Sequence, residues 1–208
     1  MTGPDVLLLE RTFYFLRHGE TDSNRLKTIA GSLDVELNET GREQARAAVE
    51  LVRPLGVTHL ASSNLRRARE TAAIIARALA LPHLVVPELA ERNWGELEGK
   101  PQGMRIRGSP PPGAETAEEF AARTRAGLAR VRAEGVPLVV VHSGAFRVPC
   151  RQFALEESVE PVANCHPVRF TPPAQPGGAG QSRQSERRSR LVRQAHSILM
   201  PAVLNAVL

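Results

Sequence analysis

The chain has 208 residues, a mass of 22.6 kDa, 42% hydrophobic and 24% charged residues, and a formal net charge of +5 with a pI near 10.2. That length suits one ordinary domain and excludes a large multidomain machine, while the composition excludes a wholly disordered or collagen-like chain. The basicity is almost all arginine, 25 residues against the two lysines Lys27 and Lys100, so its placement along the chain decides its meaning.

Val6 to Leu9 is apolar, but Glu10 and Arg11 interrupt it before the ~7–15 residues of a signal-peptide core are reached. A first strand is expected over Thr12 to Leu16, apolar after the threonine, as in strands covered on both faces; it ends at Arg17-His18-Gly19. After a polar loop, Thr40 with Glu43 three residues on suggests a capping box for a helix whose buried stripe is Ala45, Ala48, Val49 and Val52, stopped by Pro54. Val57 to Ala61 reads as a second strand. Ser62 or Ser63 is then expected to cap a helix with the stripe Ala68, Ala72, Ile75, Ala76 and Leu79, closed by Pro82.

A short run, Leu84 to Val86, leads into Glu88 to Lys100 and then a loop from Gly108 to Gly113. Thr116 and Glu119 form a second capping box, for a helix through Phe120, Leu128 and Val131 that Gly135 ends. Leu138 to Val141 is the most strand-like run and terminates at His142. This alternation predicts an α/β fold, a three-layer α/β/α sandwich around a mostly parallel central sheet.

Beyond Phe170 the texture changes. A folded domain is expected over residues 1–170, a Pro/Gly-rich linker over 171–182, and a basic tail over 183–208 that is disordered or loosely attached. Five arginines against one glutamate between Arg183 and Arg193 give the tail +4 and leave +1 for residues 1–182. No nucleic-acid partner is expected, since the domain is nearly neutral and the chain has one tryptophan and one tyrosine for stacking. No apolar stretch approaches the ~20 residues of a membrane span. Cys150 and Cys165, with 14 residues between them, fit neither a zinc or redox pair nor a disulfide framework, so a cytoplasmic location is expected.

His18 and His142 follow the two most apolar strands, and a parallel sheet delivers both to the carboxyl edge where open α/β sheets bind ligands. A single histidine after a strand is commonly structural; two at equivalent strand ends, one beside Arg17, point to a site. Arg67 falls in the first turns of its helix, where guanidinium and backbone N–H groups can face one anion; of Arg66, Arg67 and Arg69, two are expected to form a solvated face. Arg17, His18, Arg67 and His142 thus describe a cationic pocket for a phosphate dianion. A neutral imidazole attacks phosphorus if its other ring nitrogen is held by an acceptor. The chain has no GxxxxGK[ST] loop and no residues at metal-ligand spacing, so neither ATP hydrolysis nor a metal or other cofactor is expected.

The run LRHGETDSN from Leu16 to Asn24 resembles the signature of the histidine phosphatase superfamily, the phosphoglycerate mutase-like group. GSLDVELNETGREQA from Gly31, ASSNLRRARETA from Ala61, ELAERNWGELEG from Glu88 and VVVHSGAFR from Val139 follow in the family's order, so the resemblance covers roughly residues 12 to 170. It implies a phosphoglycerate mutase-like fold and a small-molecule phosphomonoester as substrate. It further implies that His18 is the phosphorylated nucleophile, that Arg17, Asn24, Arg67 and His142 bind the phosphoryl group, and that Glu91 is the proton donor. Glu91 would protonate the leaving oxygen in the first step and deprotonate water in the second.

Two departures matter. The family's second histidine is usually followed by glycine, and here Ser143 stands between His142 and Gly144. The segment from Glu91 to His142 is short beside that of the mutases, which favours a phosphatase over a cofactor-dependent phosphoglycerate mutase; a catalytically weak anion-binding relative is a further alternative. Residues that select the substrate are expected in the 96–115 stretch.

Overall fold

The computed structural model describes Leu8 and residues 11–105, 110–152 and 162–171, with backbone only at 151 and 152. Its strands are β1 (Phe13–Arg17), β2 (His59–Ser62), β3 (His83–Val85), β4 (Pro137–Val141) and β5 (Pro167–Phe170). They form one sheet in the order β3-β2-β4-β1-β5, parallel throughout except for β5, which runs antiparallel to β1. The helices are α1 (Asp22–Arg25), α2 (Glu39–Val52), α3 (Arg66–Leu79), α4 (Ala117–Ala129) and α5 (Ser143–Gln152).

The period-2 alternation of the strands sorts two cores. Phe13, Phe15, Ala61, Val139 and Val141 face Phe120 and Leu128 of α4 and Ala145 and Val148 of α5. Tyr14, Leu16, Leu60, Leu138 and Val140 face Ala45, Ala48, Val49 and Val52 of α2 and Ala68, Ala72, Ile75 and Ala76 of α3. Helices therefore cover both faces, which is the expected three-layer sandwich. The central strands β1 and β4 have no polar face because each is buried on both sides.

Several local expectations are corrected. Asn38, not Thr40, caps α2, its side chain accepting the Gly41 N–H at 2.9 Å. Tertiary contacts set that start: Asn38 also donates to the Glu20 carbonyl and carboxylate, at 3.1 and 2.9 Å, and Gly41 lies so close to Glu20 that a Cβ would stand 2.1 Å from the carbonyl oxygen. Neither Ser62 nor Ser63 caps α3, whose N-cap is Leu65 without a side-chain bond. The Thr116–Glu119 capping box is present, but α4 ends at Ala129, short of Gly135. The polar loop after Gly19 contains α1, and α5 and β5 add elements that periodicity did not reveal.

Thr171 apart, the linker and the basic tail lie outside the described residues, as do residues 106–109 of the Gly108–Gly113 loop and the 96–115 stretch. Among the described residues no helix is long and apolar enough to cross a membrane.

Candidate active site

The parallel register of β1 and β4 sets Arg17 beside Val141, and the His18 N–H continues the ladder to the Val141 carbonyl at 2.9 Å. His18 and His142, one residue past each strand, are consequently neighbours, with ring centroids 5.2 Å apart and both rings buried. His18 Nδ1 lies 2.7 Å from the Gly19 carbonyl oxygen. A carbonyl only accepts, so Nδ1 carries the hydrogen and Nε2 keeps its lone pair.

The loop bearing His18 is held on three sides. The Gly19 N–H donates to Thr71 Oγ1 at 3.1 Å, and that hydroxyl donates to the Arg67 carbonyl at 2.7 Å, fixing the loop to α3. A Cβ on Gly19 would stand 2.3 Å from the Gly41 carbonyl oxygen, so only glycine lets this backbone reach the start of α2. On the β5 side Asn164 Nδ2 donates to the His18 carbonyl at 2.6 Å, and the Cys165 N–H to the Arg17 carbonyl at 2.8 Å.

Arg67 is a cation with 1% exposure. Its Nη1 donates to the Leu33 carbonyl and its Nη2 to the Gly31 carbonyl, each at 2.7 Å, while its buried Nε has no partner among the described residues. Arg17 is similar: Nη1 donates to the Val162 carbonyl at 2.9 Å and Nε is buried and unpartnered. His142 Nε2 lies 2.8 Å from Ser63 Oγ, leaving Nδ1 as a third unpartnered buried nitrogen. Each unsatisfied buried polar group costs on the order of 1–3 kcal/mol, which a suitably placed anion would offset.

Burial dominates the titration of this pocket. It pushes Arg67 down to about 10, with Glu91, Asp34 and Glu98 countering it, so the guanidinium stays charged at neutral pH. It also lowers Arg17, against the pull of Glu91. His18 is held well below the ordinary imidazole value by burial and by Arg67, and His142 by burial, Arg67 and His18. Both rings are therefore neutral at pH 7.

Glu91 reaches this edge from a loop. Its Oε2 accepts the Gly144 N–H at 2.9 Å in the first turn of α5, and its Oε1 accepts the Arg92 N–H at 2.8 Å. Each oxygen has a second lone pair available to a proton. A Cβ on Gly144 would stand 2.2 Å from Oε1, so this carboxylate position requires glycine there. Ser143 takes the first position of α5, and glycine is kept where the carboxylate touches. Asn24 sits in α1, where its Oδ1 accepts the Thr21 N–H at 3.2 Å and faces Asn164 Nδ2 at 3.5 Å, keeping its own Nδ2 out of these contacts.

The sheet edge thus gathers Arg17, His18, Arg67 and His142, with Glu91 joined through Gly144 and Asn24 through Asn164. Arg66 stays outside, its side chain paired with Glu36 at 3.0 Å, and Arg69 is exposed. A cavity of about 820 Å³ meets the site at Glu91 and runs past Ser32, Asn93, Glu115 and Arg123, away from the histidines. Among the described residues no group of three or more His, Cys, Asp and Glu side chains is arranged to hold a metal ion.

Four supporting roles have no counterpart in the sequence expectations, those of Ser63, Asn164, Arg123 and Glu98. Arg123 donates to the carbonyls of Glu88, Ala90 and Glu91 at 2.8, 3.0 and 3.3 Å and pairs with Glu115 at 2.8 Å, fixing the Glu91 loop against α4. Glu98 accepts from Ser32 N, Ser32 Oγ and Trp94 N at 2.6, 2.9 and 3.1 Å, fixing the loop whose carbonyls grip Arg67. None of these contacts joins side chains at i,i+3 or i,i+4 spacing on one α-helix, so no local pattern points to them.

The profile of the histidine phosphatase superfamily (branch 1) matches residues 13–166. The uncharacterized phosphatase PhoE of Bacillus subtilis is 38% identical over 137 residues, 62% of this chain and 70% of that protein. The probable phosphoglycerate mutase GpmB of Yersinia pestis is 44% identical over 88 residues, 42% of this chain and 41% of that protein. Among solved structures, mycobacterial glucosyl-3-phosphoglycerate phosphatase, complexed with VO3, superposes with a TM-score of 0.67 at 27% identity, covering 76% of this chain and 92% of that one.

Proposed function

This chain belongs to the histidine phosphatase superfamily, and on that premise we propose that it is a phosphomonoester hydrolase acting on small phosphorylated metabolites through a phosphohistidine on His18. The observation that carries the reading is the set of unpartnered buried nitrogens, Arg17 Nε, Arg67 Nε and His142 Nδ1, around a neutral imidazole whose Nε2 is bare. Two fixed cations that each keep a buried Nε without a partner among the described residues, beside a ring nitrogen in the same condition, suit a tetrahedral dianion better than any neutral ligand.

In the first step His18 Nε2 attacks phosphorus in line, the P–O bond to the leaving group breaks, and Glu91 gives its proton to the departing oxygen. Arg17, Arg67, His142 and Asn24 hold the equatorial oxygens, and the Gly19 carbonyl holds the Nδ1–H of the phosphorylated, now cationic, ring. In the second step Glu91 takes a proton from water, which attacks phosphorus and breaks the N–P bond. Inorganic phosphate leaves, and His18 and Glu91 return to their starting states. The cycle assigns no step to a metal.

The test is incubation with a labelled phosphomonoester. An acid-labile, base-stable phosphoenzyme that disappears in His18→Ala supports the proposal; absence of both phosphoenzyme and phosphate release across a broad substrate panel overturns it. The likeness to a probable phosphoglycerate mutase keeps one competitor, and interconversion of 3- and 2-phosphoglycerate in a coupled assay would favour it over hydrolysis.

A further inference from the structure

Ser63 has no part in the chemistry above, yet it is fully buried and meets His142 directly. Its Oγ lies 2.8 Å from His142 Nε2 and accepts the Leu65 N–H at 3.3 Å. A hydroxyl has one hydrogen to give, and a neutral imidazole has one hydrogen on one of its two nitrogens. Two arrangements follow, and they differ in which face of the ring the anion meets.

If Nε2 carried the ring hydrogen, Ser63 would accept from both His142 and Leu65. Its own hydrogen would have no acceptor in the contacts it makes, and His142 Nδ1 would turn a lone pair toward the lone pairs of a bound phosphate. If instead Ser63 donates to Nε2, the Leu65 N–H, the serine hydroxyl and Nε2 are all satisfied. The ring hydrogen then sits on Nδ1, a buried atom with no partner among the described residues.

We propose that Ser63 is a positioning residue that fixes His142 as the Nδ1–H tautomer, so that the ring serves as a neutral hydrogen-bond donor to the phosphoryl group. His18 and His142 then share one tautomer but present opposite nitrogens. The Gly19 carbonyl turns the bare Nε2 of His18 to the phosphorus, and Ser63 turns the Nδ1–H of His142 to a phosphoryl oxygen. Burial between Arg67, Arg17 and Arg123 keeps the second ring neutral, which makes the choice of tautomer decisive.

The assignment rests on the phosphomonoesterase reading for its meaning, but its test needs no turnover. The full chain, labelled with ¹⁵N-histidine, is examined at pH 7 by long-range ¹H–¹⁵N correlation, free and with inorganic phosphate, with the His142 signals identified by their loss in His142→Asn. The expected pattern is a protonated Nδ1 and a bare Nε2. In Ser63→Ala the hydrogen redistributes toward Nε2, and Ser63→Thr, which keeps the hydroxyl, retains the original pattern. Ser63→Ala should lower kcat/KM for nitrophenyl phosphate about 10- to 100-fold, less than the ~10²–10³ typical of deleting a transition-state donor, with phosphoenzyme still formed on His18. A protonated Nε2 in the unaltered protein, or an unchanged tautomer in Ser63→Ala, overturns the assignment. Absence of phosphoenzyme would instead strike the hydrolase reading and leave the tautomer result standing.

Discussion

Replacing Gly144 by alanine should disable the acid–base carboxylate while sparing the fold. The added Cβ would stand 2.2 Å from Glu91 Oε1, and ordinary contact begins near 3.4 Å, so the carboxylate has to retreat by about 1.2 Å. The obstructed atom is the end of a flexible side chain, and alanine within a helix is favoured over glycine by up to about 1 kcal/mol, so the melting temperature should barely move. The retreat breaks the Gly144 N–H bond to Oε2 and carries the proton donor off its line to the leaving oxygen. A misplacement of about 1 Å costs on the order of 10²-fold in rate, close to 2.7 kcal/mol of barrier. The loss should depend on the leaving group: kcat/KM for an alkyl phosphate falls by that factor, while for nitrophenyl phosphate, whose leaving group needs no proton, it is nearly unchanged. Hydrolysis of the phosphohistidine still needs the base, so phosphoenzyme should accumulate with the nitrophenyl substrate. Glu91→Gln should reproduce the pattern. Equal losses for both substrates, or none, would refute the assignment of Glu91, and a large drop in melting temperature would refute the claim that the clash falls on a side chain alone.

Arg67→Lys keeps the charge but cannot hold the carbonyls of both Gly31 and Leu33 in one plane or supply an Nε donor; inhibition by inorganic phosphate should weaken at least tenfold, for a loss of about 1.5–3 kcal/mol, and unchanged inhibition would argue against Arg67 as an anion ligand. Because His18 and His142 are buried neutral while the unfolded chain protonates them below about pH 6.5, stability should be complete above that pH and fall as the pH drops, by up to about 1.4 kcal/mol per pH unit for each ring. Urea unfolding at pH 7 and pH 5.5 measures this, and His18→Asn should reduce the slope. Removing residues 183–208, which carry +4, should leave kcat and KM unchanged, since every residue assigned to the chemistry lies between Arg17 and His142; a large loss would show that the tail serves the site.

The strands and helices that carry the site were legible because burial wrote them into the sequence. β1 and β4 are covered on both faces and so are apolar at almost every position, which made their ends, and hence His18 and His142, easy to find. The stripes of α2 and α3 and the Thr116 cap follow from one-sided burial and from local satisfaction of backbone N–H groups. β5 was not legible: it is four residues long, begins with proline and buries fully only Phe170. α5 was hidden for a different reason, since it has Gly144 in its first turn and Pro149 inside, residues that ordinarily mark the end of a helix.

Ser62 and Ser63 show where local reasoning meets its limit. Two serines ahead of an apolar-periodic run are a good N-cap signal, yet Ser63 spends its hydroxyl on a ring 79 positions away and Ser62 bonds the Ser63 carbonyl and His83. The same holds for the partners that aim the pocket. Arg67 is gripped by the carbonyls of Gly31 and Leu33, Arg17 by that of Val162, and His18 by that of Gly19. Every residue type offers the same carbonyl, so none of these contacts leaves a mark on residue identity. What does leave a mark is the space they demand: Gly19, Gly41 and Gly144 are glycines because a Cβ would stand within 2.3 Å of a carbonyl or carboxylate oxygen. In this chain the reacting groups are read from side-chain identity, whereas their aim is read from the glycines that let backbone and carboxylate approach.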